Sequence, residues 1–131
     1  MRYNGLNNPE KYQNEAERLI SSIDRDKIPT ELLKAFYDET YGFVMGDDAC
    51  LDRALSYFML HHAYNKVYKL AENIGGKALF DKDYEKVNKM MDLCIQAAKN
   101  MNSTEKLRSA VECKKKISHD ELERQKKVSD K

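Results

Sequence analysis

Tryptophan is absent from this chain, proline occurs twice and glycine five times. That scarcity excludes collagen-like repeats and argues against β-rich folds, whose many tight turns consume both residue types. Cysteine is sparse as well: Cys50, Cys94 and Cys113 form an odd set with spacings of 44 and 19. Such spacing fits neither a disulfide framework nor a close-spaced zinc motif, so three reduced thiols in a cytosolic protein are expected. Each lies on or beside an apolar stripe, where inert packing is expected in place of catalysis. Long apolar runs are also missing. The longest charge-free stretch, Ala54 to Asn65, is too short to span a bilayer, and no apolar h-region follows Met1-Arg2-Tyr3-Asn4. Neither membrane insertion nor secretion is expected.

An excess of one charge is lacking too. The 23 Lys and Arg nearly cancel the 22 Asp and Glu, so the global field draws in neither nucleic acid nor an acidic membrane. The charge is nevertheless uneven. Residues 1–98 carry 13 basic and 16 acidic side chains, net −3, and residues 99–131 carry 10 and 6, net +4. What the chain has in quantity is apolar residues, 41%, interleaved with 34% charged ones over 131 positions, enough for one helical domain.

Helical punctuation is frequent. Asn8-Pro9-Glu10 reads as an N-cap, a first-turn proline and a first-turn acid, opening a helix from about Pro9 to Ser22–Asp24 with Tyr12, Ala16, Leu19, Ile20 and Ile23 at helical spacing. Pro29 biases Ile28 away from helix, and Thr30 can cap a second helix reaching at least Tyr41. Between Gly42 and Gly46, Phe43-Val44-Met45 fits either the end of that helix or a buried loop. Asp47 or Asp48 can cap a third helix, roughly Asp48 to Asn73, which is apolar on two sides and is expected to be the central element, closed by Gly75-Gly76. Asp81 can cap a fourth helix with a stripe of Tyr84, Val87, Met91, Cys94, Ile95, Ala98 and Met101. Asn102 and Glu105 suggest a capping box for a fifth, whose stripe of Leu107, Ala110, Val111 and Ile117 is interrupted by Lys114. Ser118 and Glu121 have the spacing of a further helix start. No internal repeat is recognised. The expected fold is an all-α, single-domain bundle of about five helices, with residues 1–117 as the bundle and 118–131 as a basic, weakly packed tail or helix extension.

Most motifs dissolve into helix capping. Asp47, Asp48 and Asp52 are dense enough for magnesium, but no second acidic cluster accompanies them, and acids at a helix start complement its dipole. Asp81-Lys82-Asp83-Tyr84-Glu85 resembles the opening of a calcium loop, yet Lys86 stands where the sharp turn needs glycine. Gly75-Gly76-Lys77-Ala78 lacks both the preceding strand and the hydroxyl of a phosphate loop. His61 and His62 diverge by about 100° on a helix, and no His-x-x-x-His or Glu-x-x-His pair exists to hold a metal. His62 falls in the aliphatic sector and is expected to be a hydrogen-bonded core histidine.

Two surfaces are left as candidates. On one continuous helix, Tyr57, Tyr64 and Tyr68 fall within about 40° of one another and, with His61 nearby, make an amphipathic ladder suited to a partner. Lys114, Lys115 and Lys116, with Arg124, Lys126 and Lys127, make the basic segment, a diffuse positive field that acids dilute. The expected function is that of a small cytoplasmic protein-binding regulator or adaptor without catalytic activity, metal or cofactor. The alternative is a nucleic-acid-associated subunit using the basic segment. A third reading is a small metal-dependent hydrolase or nuclease. Homo-oligomerisation is compatible with all of them.

Overall fold

The computed structural model describes residues 9–129, with the side chains of 122 and 124–129 left undescribed. Among the described residues there are six α-helices and no strand: α1 (Pro9–Ser21), α2 (Glu31–Met45), α3 (Asp48–Leu60), α4 (Tyr64–Phe80), α5 (Tyr84–Asn100) and α6 (Thr104–Ser129). A single 3-10 turn, Arg25–Lys27, lies between α1 and α2. The all-α class is as expected from the periodicity. The count rises to six because the long central helix expected over 48–73 is two helices, α3 and α4.

The break lies at His62, whose φ of 56° is left-handed. Its N–H donates to the Met59 carbonyl at 3.2 Å, and the next N–H, of Ala63, reaches back to the Phe58 carbonyl at 2.9 Å. These two bonds form a Schellman closure, which satisfies carbonyls that a helix end would otherwise orphan. The same joint recurs at Lys82 (φ 60°) and Asn102 (φ 55°), where Asp83 N–H meets Ala78 O at 2.8 Å and Ser103 N–H meets Ala98 O at 3.1 Å. Gly46 (φ 68°) ends α2 in the same way, with Asp47 N–H on Gly42 O at 2.9 Å.

At three of the four joints the residue after the left-handed one caps the next helix. Asp47 accepts from the amides of Ala49 and Cys50, Asp83 from Lys86 and Ser103 from Lys106. Asp83, in place of the expected Asp81, therefore opens α5, and Ser103 in place of Asn102 opens α6. The left-handed residues of the last three joints are twenty positions apart. A faint repeat follows: Tyr64, Lys66 and Val67 in α4 correspond to Tyr84, Lys86 and Val87 in α5 and to Thr104, Lys106 and Leu107 in α6. It escapes inspection of the sequence because few positions keep their identity.

The chain divides into two compact units, Met1–Tyr57 and Phe58–Lys131. In the first, α1 and α2 pack as an antiparallel pair, since the Gln13 side-chain amide near the start of α1 donates to the Val44 carbonyl near the end of α2. Asp38, only 1% exposed, lies on the buried side of α2 between Ala35 and Gly42. It accepts two hydrogen bonds from Arg25, Nε to Oδ1 and Nη2 to Oδ2, both 2.9 Å, while Arg53 approaches at 3.7 Å. A forked pair of this kind compensates the desolvation of the carboxylate and fastens the α1–α2 connection to α2.

In the second unit, α4 packs on α5, and α5 packs on α6. Leu70, Ile74 and Val87 are among its fully buried side chains, and each contributes about 1.5–3 kcal/mol relative to exposure. Gly75 brings α4 close to α5: a Cβ there would stand 3.0 Å from Met91 Cε and 3.3 Å from Met90 Cβ. The Gly75-Gly76 pair therefore lies inside α4, which continues to Phe80, and does not end a helix. Nor does a new helix start at Ser118. The α6 backbone runs unbroken to Ser129.

Two glycines separate sterics from propensity. A Cβ at Gly42 would lie 2.6 Å from Leu51 Cγ and 3.0 Å from Asp47 O, whereas nothing lies within 4 Å at Gly76. Urea unfolding is expected to show a loss of about 1–3 kcal/mol for Gly42→Ala and a gain of about 0.5–1 kcal/mol for Gly76→Ala. In the same assay Asp38→Ala, which removes both hydrogen bonds to Arg25, is expected to lose about 1.5–3 kcal/mol.

Candidate functional site

The tyrosine ladder depends on one continuous helix, and the left-handed joint at His62 removes that premise. Tyr57 is half-buried on α3 in the first unit, while Tyr64 and Tyr68 belong to α4 in the second. Tyr68 is 7% exposed. Its hydroxyl donates to the Lys106 carbonyl at 3.3 Å, and the Lys106 ammonium stands 4.9 Å from its ring centroid. Burial pushes the phenol's pKa up, with Glu72 adding to the rise and a Ser109 hydrogen bond opposing it. Tyr68 thus braces α4 against the start of α6. Tyr64 is half-buried, and its hydroxyl lies 3.0 Å from His62 Nδ1. His61 is exposed. His62, expected in the core, is exposed at the turn because a left-handed residue projects away from the helix face its spacing implied.

The lysines are more informative. Lys114, the anomaly in the apolar stripe of α6, is half-buried and ion-paired with Asp92 of α5. An acid from the neighbouring helix therefore accounts for a charge where α6 alone offers only apolar neighbours. Beside this pair, Ile95, Val111, Lys114, Lys115, Ser118 and His119 line an open groove of about 440 Å³ between α5 and α6. Ile95 and Val111 form its apolar floor, and Lys115 and His119 are exposed at its rim. Lys116 is exposed outside the lining set. The side chains of Arg124, Lys126 and Lys127 lie outside the described residues. From the sequence, Lys114 and Lys115 are candidates for a nucleic-acid surface, but nothing along the chain marks Ile95 and His119 as their neighbours. The usable signal was the lysine within the stripe.

The units also differ in charge. Residues 58–131 hold 16 basic and 11 acidic side chains, net +5, and residues 1–57 hold 7 and 11, net −4. The groove therefore lies in a positive unit. Asp47 is occupied as a helix cap, Asp48 and Asp52 are exposed, and no group of three or more His, Cys, Asp or Glu among the described residues is placed to hold a metal ion. Among those residues no helix is long and apolar enough to cross a membrane.

All three cysteines are free, Cys50 and Cys94 buried and Cys113 exposed. Burial, then the nearby Glu72 and Cys113, pushes the Cys94 thiol up to about 12, and the Cys94 sulfur lies 3.6 Å from the Tyr68 carbonyl. Burial also raises the pKa of Cys50. Comparison of the chain with protein-family models, curated proteins and solved structures finds no match.

A thiolate is the reactive species, and a raised pKa depletes it at any pH below that value. In the native protein at about pH 8, a disulfide-exchange reagent is expected to titrate Cys113 quickly and to reach Cys50 and Cys94 only after denaturant is added. Rapid labelling of Cys94 in native protein would contradict its assignment as a packing residue.

Proposed function

We propose that this chain is a small, non-catalytic protein-binding regulator or adaptor of the cytoplasm, and that its α5–α6 groove receives an acidic amphipathic helical segment of another protein. The observation that carries the reading is the pairing of two aliphatic side chains, Ile95 and Val111, with exposed Lys115 and His119 at the rim, beside the Lys114–Asp92 pair. Apolar side chains of the partner would lose water against the floor, and its carboxylates would be steered by the rim and by the net charge of +5 in this unit. The tyrosines have a lesser part in this reading, because Tyr68 is committed to packing.

The same net charge favours a second reading, phosphate-backbone binding by the lysines. It is the weaker of the two. The groove offers aliphatic side chains where single strands need stacking platforms, and Lys114 is already neutralised by Asp92.

Fluorescence anisotropy with two probes tests these readings: a labelled Leu/Glu amphipathic helical peptide and a labelled oligonucleotide, each at low and high salt. The peptide is expected to bind with only moderate salt dependence. Lys115→Glu and Ser118→Glu, which leave the core untouched, are each expected to weaken it about fivefold or more. Tight oligonucleotide binding with a steep salt slope, and none to the peptide, would replace the adaptor reading by the nucleic-acid one.

A further inference from the structure

The first unit itself contains a helix of the kind the groove suits. On α2, Leu32, Phe36 and Phe43 are between 39% and 47% exposed. At about 100° per residue they fall within about 40° of one another, roughly a quarter-turn from the buried Ala35 and Gly42. Glu39 falls in the same sector, about 20° from Leu32, while Lys34, the one basic residue of α2, projects from the opposite side of the helix. The stripe therefore runs apolar, acidic, apolar along α2, with no cation on it. Among the described residues no other helix exposes more than two large apolar side chains: Tyr12 and Leu19 on α1, Met59 and Leu60 at the end of α3, and Leu79 and Phe80 at the end of α4.

We infer that the α5–α6 groove receives α2 from a second copy of this chain. Charge selects that occupant. The groove has exposed Lys115 and His119 beside Ile95 and Val111 and belongs to a unit of net charge +5, whereas α2 carries Glu39 on its apolar stripe and belongs to a unit of net charge −4. Opposite fields of this kind steer two copies together unit to unlike unit and oppose pairing of like units. Length agrees as well. Phe36 and Phe43 are seven positions apart, as are Val111 and Ser118 of the groove, and each interval is about 10 Å of helix. The apolar residues on either side of Glu39 thus match the trough from end to end, in the manner of an amphipathic helix laid in a groove. The inference rests on the groove being a receptor for acidic amphipathic helices and adds that the chain supplies one itself. The contact joins unlike surfaces, so self-association and capture of another protein's helix compete for one place, and the concentration of that partner decides between them by mass action.

Sedimentation equilibrium of the full chain from about 5 to about 500 µM tests this. The weight-average mass is expected to rise with concentration above the 15.3 kDa of one chain, and to rise less in high salt. Lys115→Glu in the groove and Leu32→Glu on α2 are each expected to weaken association about fivefold or more, with unchanged helical circular dichroism. Glutamate suits the position of Leu32, in the first turn of α2. Should that variant nevertheless lose helicity, Phe43→Ser serves in its place with the same expectation. Each variant keeps one half of the contact, so an equimolar mixture of the two is expected to dimerise where neither does alone. The labelled Leu/Glu peptide is expected to bind the Leu32→Glu chain as tightly as the wild type and to dissociate the wild-type assembly. A wild-type chain monomeric at the highest concentration overturns the inference. So does an assembly unaffected by either variant, or a mixture no more associated than its separate components. Peptide binding in any of these cases leaves the groove's role as a receptor standing, and its absence removes both.

Discussion

A left-handed residue followed at once by the first residue bound into the next helix is the constraint on which the remainder of the second unit depends. At His62-Ala63, Lys82-Asp83 and Asn102-Ser103 the chain closes one helix by a backbone bond spanning five residues and starts another with no slack. A left-handed L-residue costs about 1–2 kcal/mol in isolation. The two closing hydrogen bonds and, at the last two joints, the side-chain cap offset that cost by satisfying backbone groups at the helix ends. At the last two joints so short a link leaves the following helix little choice but to return alongside its predecessor, α5 on α4 and α6 on α5. The lengths of α4 and α5 are matched at 17 residues each, and the two helices pack together.

Charges within apolar stripes follow a second rule, visible in both units. Asp38 on the buried side of α2 meets Arg25, and Lys114 in the stripe of α6 meets Asp92. In each case a charge misplaced with respect to its own helix is correctly placed with respect to a neighbour. The two pairs differ in weight. Asp38 is sequestered and doubly bonded, so its removal costs two charge-assisted hydrogen bonds with the half-exposed Arg25. Lys114 and Asp92 are partly exposed, and water screens their attraction. The second pair is better understood as shaping the rim of the groove than as a source of stability.

Function in this reading follows from surface and shape in the absence of a motif. The α5–α6 groove combines what an acidic amphipathic helix needs, an apolar trough and positive edges, on two helices whose spacing is set by the joint at Asn102.

Local chemistry was enough to read the all-helical class, the start of α1 at Pro9, the Thr30 cap of α2 and the stripe of α5, since proline, caps and a period of 3.6 act within a few residues. The single helix expected over 48–73 failed because Leu55, Phe58 and His62 keep helical phase across the joint, and because histidine, lysine and asparagine occupy left-handed positions where glycine would have announced a stop. Gly75 misled in the opposite direction. It sits within a helix because Met90 and Met91 of the next helix approach it too closely for a side chain. Of the groove, the sequence showed Lys114, Lys115 and an apolar stripe containing Val111, but not that Ile95 faces them. That juxtaposition is a property of two helices packed side by side, and no periodicity within one helix encodes which face of its neighbour it meets. The sequence by itself determined where helices form and which residues are apolar on each. The tertiary structure alone decided where the helices turn back, which charges find partners and which apolar stripes stay exposed, because those outcomes depend on contacts between residues distant along the chain.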